Sequence, residues 1–186
     1  MTTFTESYNQ NPNQETAKKS RDAVVWLKQK IREIPSMTAG TNRFRMGGLY
    51  FFVYDAKAKA TLPYWDKFPL VIPIERYTDG FLGLNLHYLP AKIRARFMDK
   101  LSTLAVTDSN DEIARLRVTY DILSATKRYK EFRPCIKRYL TPHIRSRILA
   151  VQPGEWNHAV FLPVAQFQNE SRKTVYKDSL DIIKKQ

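Results

Sequence analysis

GGLYFFVYDAKAKATLPYWDKFPLVIPIERYTDGFLGLNLHYLP, residues Gly47–Pro90, is the stretch whose reading decides the fold. Its apolar runs, Leu49–Tyr54, Phe68–Ile74 and Phe81–Leu89, are rich in aromatic and branched residues and bounded by turn chemistry, the pattern of β-strands. The polar loop AKAKAT separates the first two. Thr78-Asp79-Gly80 separates the last two, and Asp-Gly is a strong hairpin signal because Gly accepts the positive φ of a tight turn. The third run alternates, so one face is buried and the other mixed. The expectation is a three-stranded antiparallel meander, or partial barrel, over residues 47–90. Proline donates no ladder hydrogen bond, so Pro69 and Pro73 place the middle run at an edge or across a bulge. Tyr64, Trp65 and Phe68 beside it plug one end of the sheet or dock on a neighbouring protein.

Outward from the meander the pattern turns helical. Thr16 or Ser20 caps a helix with Val24, Leu27, Ile31 and Ile34 on one stripe, closed by Pro35. Pro90 opens a helix with Ile93, Phe97, Leu101 and Leu104 inward and Lys92, Arg94, Arg96 and Lys100 outward. Ile113, Leu116, Tyr120 and Leu123 define another. Thr141-Pro142 restarts a helix through Arg145, Arg147 and Ile148, and Ser171 begins the last, with Val175, Tyr176, Leu180 and Ile183 inward. The fold class is α+β, with amphipathic helices on the sheet and a mainly helical half at 91–186. Residues 1–15 read as a flexible polar arm, and 16–186 as a single domain.

Hydrophobic residues make up 43% of the 186, enough for a folded core, and no apolar run is long enough for a membrane span. MTTFTESYNQNPNQ lacks the basic-then-apolar order of a secretory signal. The single cysteine, Cys135, excludes an internal disulfide or a cysteine-based metal site.

Charge is the main compositional clue. The chain has 31 Lys and Arg against 18 Asp and Glu, a net +13. Lys127–Arg147 alone holds Lys127, Arg128, Lys130, Arg133, Lys137, Arg138, Arg145 and Arg147 against the single acid Glu131. A field of that sign attracts nucleic acid or an acidic protein surface. Tyr129, Phe132 and Tyr139 lie between these cations, so the stretch reads as a phosphate-tracking face whose rings stack on bases. The bland alternative is a solvated basic face whose aromatics belong to the core.

Catalytic motifs are missing. There is no Gly-rich phosphate loop or dinucleotide fingerprint, and His87, His143 and His158 are isolated. Asp55 and Asp66 flank the first loop and could share a metal, but Asp66 reads better as a turn residue before Phe68. Cys135 reads as a small core residue. The expectation is no enzyme, no cofactor and no metal.

LPYWDKFPLVIPI (62–74), GFLGLNLHYLPAKIRARFMDKL (80–101), CIKRYLTPHIRSR (135–147), WNHAVFLPVAQFQ (156–168) and VYKDS (175–179) resemble, as ordered blocks, a family of small virion-associated structural proteins of T-even-type contractile-tailed phages, labelled DNA end protector. The resemblance implies a non-enzymatic virion component, present in the host cytoplasm during assembly and acting at packaged DNA ends or head completion. Its implied partners are duplex DNA ends and portal, neck or tail proteins in a symmetric assembly, with no membrane. The alternative is a neck, tail or baseplate assembly protein that works only through protein contacts.

Overall fold

The computed structural model describes residues 3–9, 21, 24–26, 45–104 and 130–185. At its centre are β1 (Leu49–Phe51), β3 (Leu70–Tyr77) and β4 (Gly80–Asn85), joined by antiparallel pairing of β1 with β3 and of β3 with β4. This is the expected meander. β5 (Ile136–Leu140) extends it beyond β4, and β6 (Leu149–Val151) pairs with β1, giving an open antiparallel sheet in the order β5-β4-β3-β1-β6. A separate ribbon joins β2 (Trp65–Asp66) to β7 (Phe167–Gln168).

The middle strand takes the bulge alternative. Its register to β4 shifts between Pro73 and Glu75, so proline is accommodated in a central strand. Thr78 and Asp79 alone link β3 to β4, with Tyr77 paired to Gly80. The reason for glycine there differs from the turn rule. Gly47 is the described glycine with positive φ, whereas a Cβ on Gly80 would lie 1.9 Å from the Tyr139 carbonyl oxygen. Gly80 is small so that β5 can approach β4.

The helical reading of the second half needs correction between Cys135 and Ile148. Ile136–Leu140 is strand, Thr141–His143 is one 3-10 turn, and no helix restarts through Arg145 and Arg147. Branched and aromatic residues pairing with β4 outweigh the helical spacing of the cations. Among the described residues the named helices are α1 (Phe4–Asn9), α2 (Ala91–Leu104), α3 (Trp156–Phe161) and α4 (Arg172–Lys184). α2 follows Pro90 as expected, and α4 is capped by the Ser171 hydroxyl, which accepts from Thr174 N. Of the arm read at 1–15, Phe4–Asn9 is helical, and Asp99 on α2 accepts from Phe4 N at 2.7 Å and Thr5 N at 2.9 Å. Arg21 and residues 24–26 are helical, and Trp26 donates to Glu155. The stripe at Leu27, Ile31 and Ile34 and the helix at Ile113–Leu123 lie outside the described residues.

Alternation along the strands divides the core in two. Leu49, Phe51, Leu70, Ile72 and Leu84 face α2, α3 and α4, meeting Phe97, Met98, Leu101, Val160 and Val175. Tyr50, Phe52, Val71, Phe81 and Tyr139 face the other way, against Tyr54, Ala56, Trp65, Ile144 and Ile148 from the loops. Arg94 was expected on the outer face of α2. It is buried instead, donating to the carbonyls of Val160 at 2.7 Å and Leu89 at 2.9 Å. It joins α2 to α3 through backbone oxygens left open at element ends.

Candidate nucleic-acid interface

The cations of the basic stretch do not share one helical face. Lys130 and Arg133 are exposed on a 3-10 segment, Lys130–Cys135, beside which Glu131 binds Lys100 of α2 at 2.7 Å. Arg138 leaves the edge strand β5, stacks over the Tyr77 ring at 4.1 Å and pairs with Asp79 in the hairpin turn. Lys137 turns inward. Its ammonium sits 4.1 Å above the Tyr88 ring, and burial lowers its pKa. Arg147 is half-buried and engaged. Lys127, Arg128 and Tyr129 lie outside the described residues.

Tyr139 cannot stack on a base. It is 4% exposed, ringed by Phe52, Tyr54 and Phe81 at 5.0–5.4 Å between centroids, so the expectation for it fails. The strand period places it on the inner face, where a helical reading had placed it among surface cations. Tyr64 and Phe68 are half-buried. Tyr64 packs against Tyr88 and Phe167, and Phe68 is stacked on Phe51 at 5.2 Å.

Trp65 differs from these rings. With Asp55, Lys59, Ala60, Lys67, Gln168 and Asn169 it lines a polar cleft of about 380 Å³. β2 explains the arrangement. Successive strand residues point to opposite sides, so Trp65 and Lys67 face the cleft while Asp66 between them is buried. The Lys67 backbone is fixed twice, its N–H donating to Gln166 O and its carbonyl accepting from Tyr54 N. The opposite wall carries Lys59, whose ammonium is 3.0 Å from Asp55 Oδ1. Arg145 reaches the same carboxylate at 3.8 Å. Its position is set by backbone pairing of His143–Arg145 with Val53–Asp55. The hydrogen bond from Lys59, with the nearby Arg145, holds the Asp55 carboxyl below its usual range. Lys59 and Arg145 thus flank the Asp55 carboxylate, and Lys67 lines the same cleft.

Asp55 and Asp66, considered together as metal ligands, have separate roles. Asp66 is buried, accepting from Phe68 N at 3.0 Å, as its turn role required, and also from Asn85, His87 and Gln166 N. Burial opposes ionisation of Asp66, but His87 and these donors outweigh it and hold the pKa low. His87, read as isolated, is fully buried with Nδ1 2.7 Å from Asp66 Oδ2. Burial lowers its pKa more than Asp66 raises it, so neutral His87 donates to ionised Asp66. The Asp66–His87 partnership spans 21 residues and carries no local sequence signal. Cys135 is buried, its thiol pushed by burial to about 12, so the flanking cations do not make it a nucleophile. Among the described residues no group of three or more His, Cys, Asp or Glu could hold a metal. None of the described helices is long and apolar enough to cross a membrane.

No curated protein and no solved structure matches the chain. A family model, however, matches residues 1–181, the five blocks that carried the resemblance included. The family is described as phage T4 terminal DNA protecting protein, and over that span the chain belongs to it.

Proposed function

We propose that this protein is a structural DNA end protector of a phage particle, engaging duplex termini non-specifically through exposed cations. In this reading it is a virion component that passes through the infected-cell cytoplasm. It contacts DNA through Lys130, Arg133, Arg138 and Arg145, with Lys127, Arg128 and Arg147 extending the same stretch. The observation that carries the reading is where the cations are mounted. Arg138 stands on a strand paired along its length with β4, and Arg145 on a segment bonded to Val53–Asp55, so their charges are held on a rigid frame. Positive groups fixed in this way attract the phosphate backbone without reading bases. Lys137 contributes packing over Tyr88 and no phosphate contact.

Each neutralised phosphate releases condensed counterion, so log affinity for duplex should fall with log salt by ~0.9 per contact. The double replacement Lys130→Gln with Arg133→Gln should lower that slope by ~1.8 if both touch phosphates. A titration of purified protein with duplex over a salt series measures it. An unchanged slope removes these two residues. Absence of binding at low salt removes the DNA-binding reading and leaves assembly through protein contacts.

A further inference from the structure

We infer that the cleft between the 55–60 loop and the β2–β7 ribbon receives the 5′-terminal nucleotide of a DNA end, its phosphate held by Lys59, Lys67 and Arg145 and its base against Trp65. The inference rests on the end-protector reading and gives it a site. A basic face binds the middle of a duplex as well as its end. Protection of termini needs something that tells the two apart.

Chemistry supplies the distinction. An internal phosphodiester carries one negative charge, whereas a terminal phosphomonoester carries about −1.5 to −2 at neutral pH and presents three acceptor oxygens. The cleft is matched to the second. Lys59 and Lys67 line it beside the single carboxylate Asp55, and Arg145 lies 3.8 Å from that carboxylate, so three positive charges stand against one negative, an excess of two. Lys67 has no ion-pair partner among the described residues and is exposed. Lys59 and Arg145 have side chains 58% and 53% exposed, so both can turn from Asp55 to a dianion.

The cleft also offers a ring. The Trp65 indole meets the Tyr54 ring in a T-shaped contact, 6.5 Å between centroids at 79°, and also lines the opening. A base that has frayed from a terminus can stack there, and stacking is indifferent to sequence. At about 380 Å³ the space lies near the small end of ligand sites, suited to one nucleotide and not to a length of duplex. The opening is held in shape. Asn169, at φ 70°, donates its side-chain amide to the carbonyls of Leu62 at 3.3 Å and Lys59 at 3.5 Å, fastening the loop to the strand that ends at Gln168.

The test compares a blunt linear duplex carrying 5′-phosphates, the same duplex with 5′-hydroxyls, and a closed circle of the same sequence. The full chain should prefer the phosphorylated end over the hydroxyl end by ~10-fold, the scale of charge-assisted hydrogen bonds. In Lys59→Gln/Lys67→Gln that ratio should fall toward one, and in Lys59→Arg/Lys67→Arg it should persist. Trp65→Leu should lower the preference for linear over circular DNA. If that variant fails to fold, the exposed lysines still decide the matter. Equal affinity of the wild type for phosphate and hydroxyl ends overturns the cleft assignment, while continued binding of the circle leaves the general DNA role standing. Failure to bind linear or circular DNA overturns both.

Discussion

The two faces of the central sheet are built differently. One is mainly aliphatic along its strands and covered by α2, α3 and α4, with Phe51, Leu70, Leu84 and Phe97 fully enclosed. The other is aromatic and covered by loops, with Tyr50, Phe52, Tyr54, Phe81 and Tyr139 under the 54–65 and 141–148 segments. The helical face can supply most of the stability because its cover is long, continuous and packed against several strands. The loop face has another use. Its cover carries Asp55, Lys59, Trp65 and Arg145, so the rings beneath act as a mount for charged side chains. Adjacent phenylalanines test the contrast. Phe51→Ala should destabilise by ~4–5 kcal/mol, and Phe52→Ala by ~3, since a loop collapses into a cavity more readily than a packed helix. Denaturant unfolding of both variants measures it, and a reversed order would break the comparison.

Between the faces lies the Asp66–His87 pair, which ties β2 to the 3-10 turn after β4 and thereby aims Trp65 and Lys67. Its effect on stability has a definite sign. Burial depresses the His87 pKa in the folded chain, so below about pH 6.5 the unfolded chain binds a proton that the folded one does not. Asp66 is depressed too, and its contribution is lost at still lower pH, as its folded pKa is approached. Both make stability fall with acid. From pH 7 toward pH 5 stability should fall, the His87 share by no more than ~1.4 kcal/mol per pH unit. His87→Gln should be less stable at pH 7 and show a shallower decline. An identical decline would mean that His87 does not remain neutral in the fold.

Sequence made the meander legible because its signals are local: apolar alternation, a two-residue Asp-containing turn and prolines that demand an edge or a bulge. It made α2 and α4 legible for the same reason, through Pro90 and Ser171. What it hid was non-local. β5 and β6 are short, and their strand identity comes from pairing with β4 and β1, across 52 or more residues of chain. Arg94 has the helical position of a surface cation but meets backbone carbonyls of Leu89 and Val160. Asp66 and His87 find each other only after folding. Of the candidate site, the sequence showed the excess of positive charge and the Tyr64, Trp65 and Phe68 group. It did not show that Trp65 parts from its neighbours, nor that Lys59, outside the basic stretch, shares Asp55 with Arg145 and lines a cleft with Lys67.

The smallest expected effect separates the two kinds of cation within that stretch. Lys137 and Arg133 are equal in sequence, each one charge among eight. In the fold Arg133 is exposed, whereas Lys137 lies over Tyr88 and is largely withdrawn from water. Lys137→Gln forfeits a cation–π contact worth ~0.5–1 kcal/mol, a modest loss of stability. Its salt slope for duplex binding should stay within ~0.2 of the wild type, against a fall of ~0.9 for Arg133→Gln. The slope counts phosphates and is insensitive to a small change in folding stability, so the two effects separate in one titration series with a melting control. A full contact's loss on removing Lys137 would require its ammonium to leave Tyr88 when DNA binds, and the edge of the sheet would then be remodelled by the ligand instead of presented ready to it.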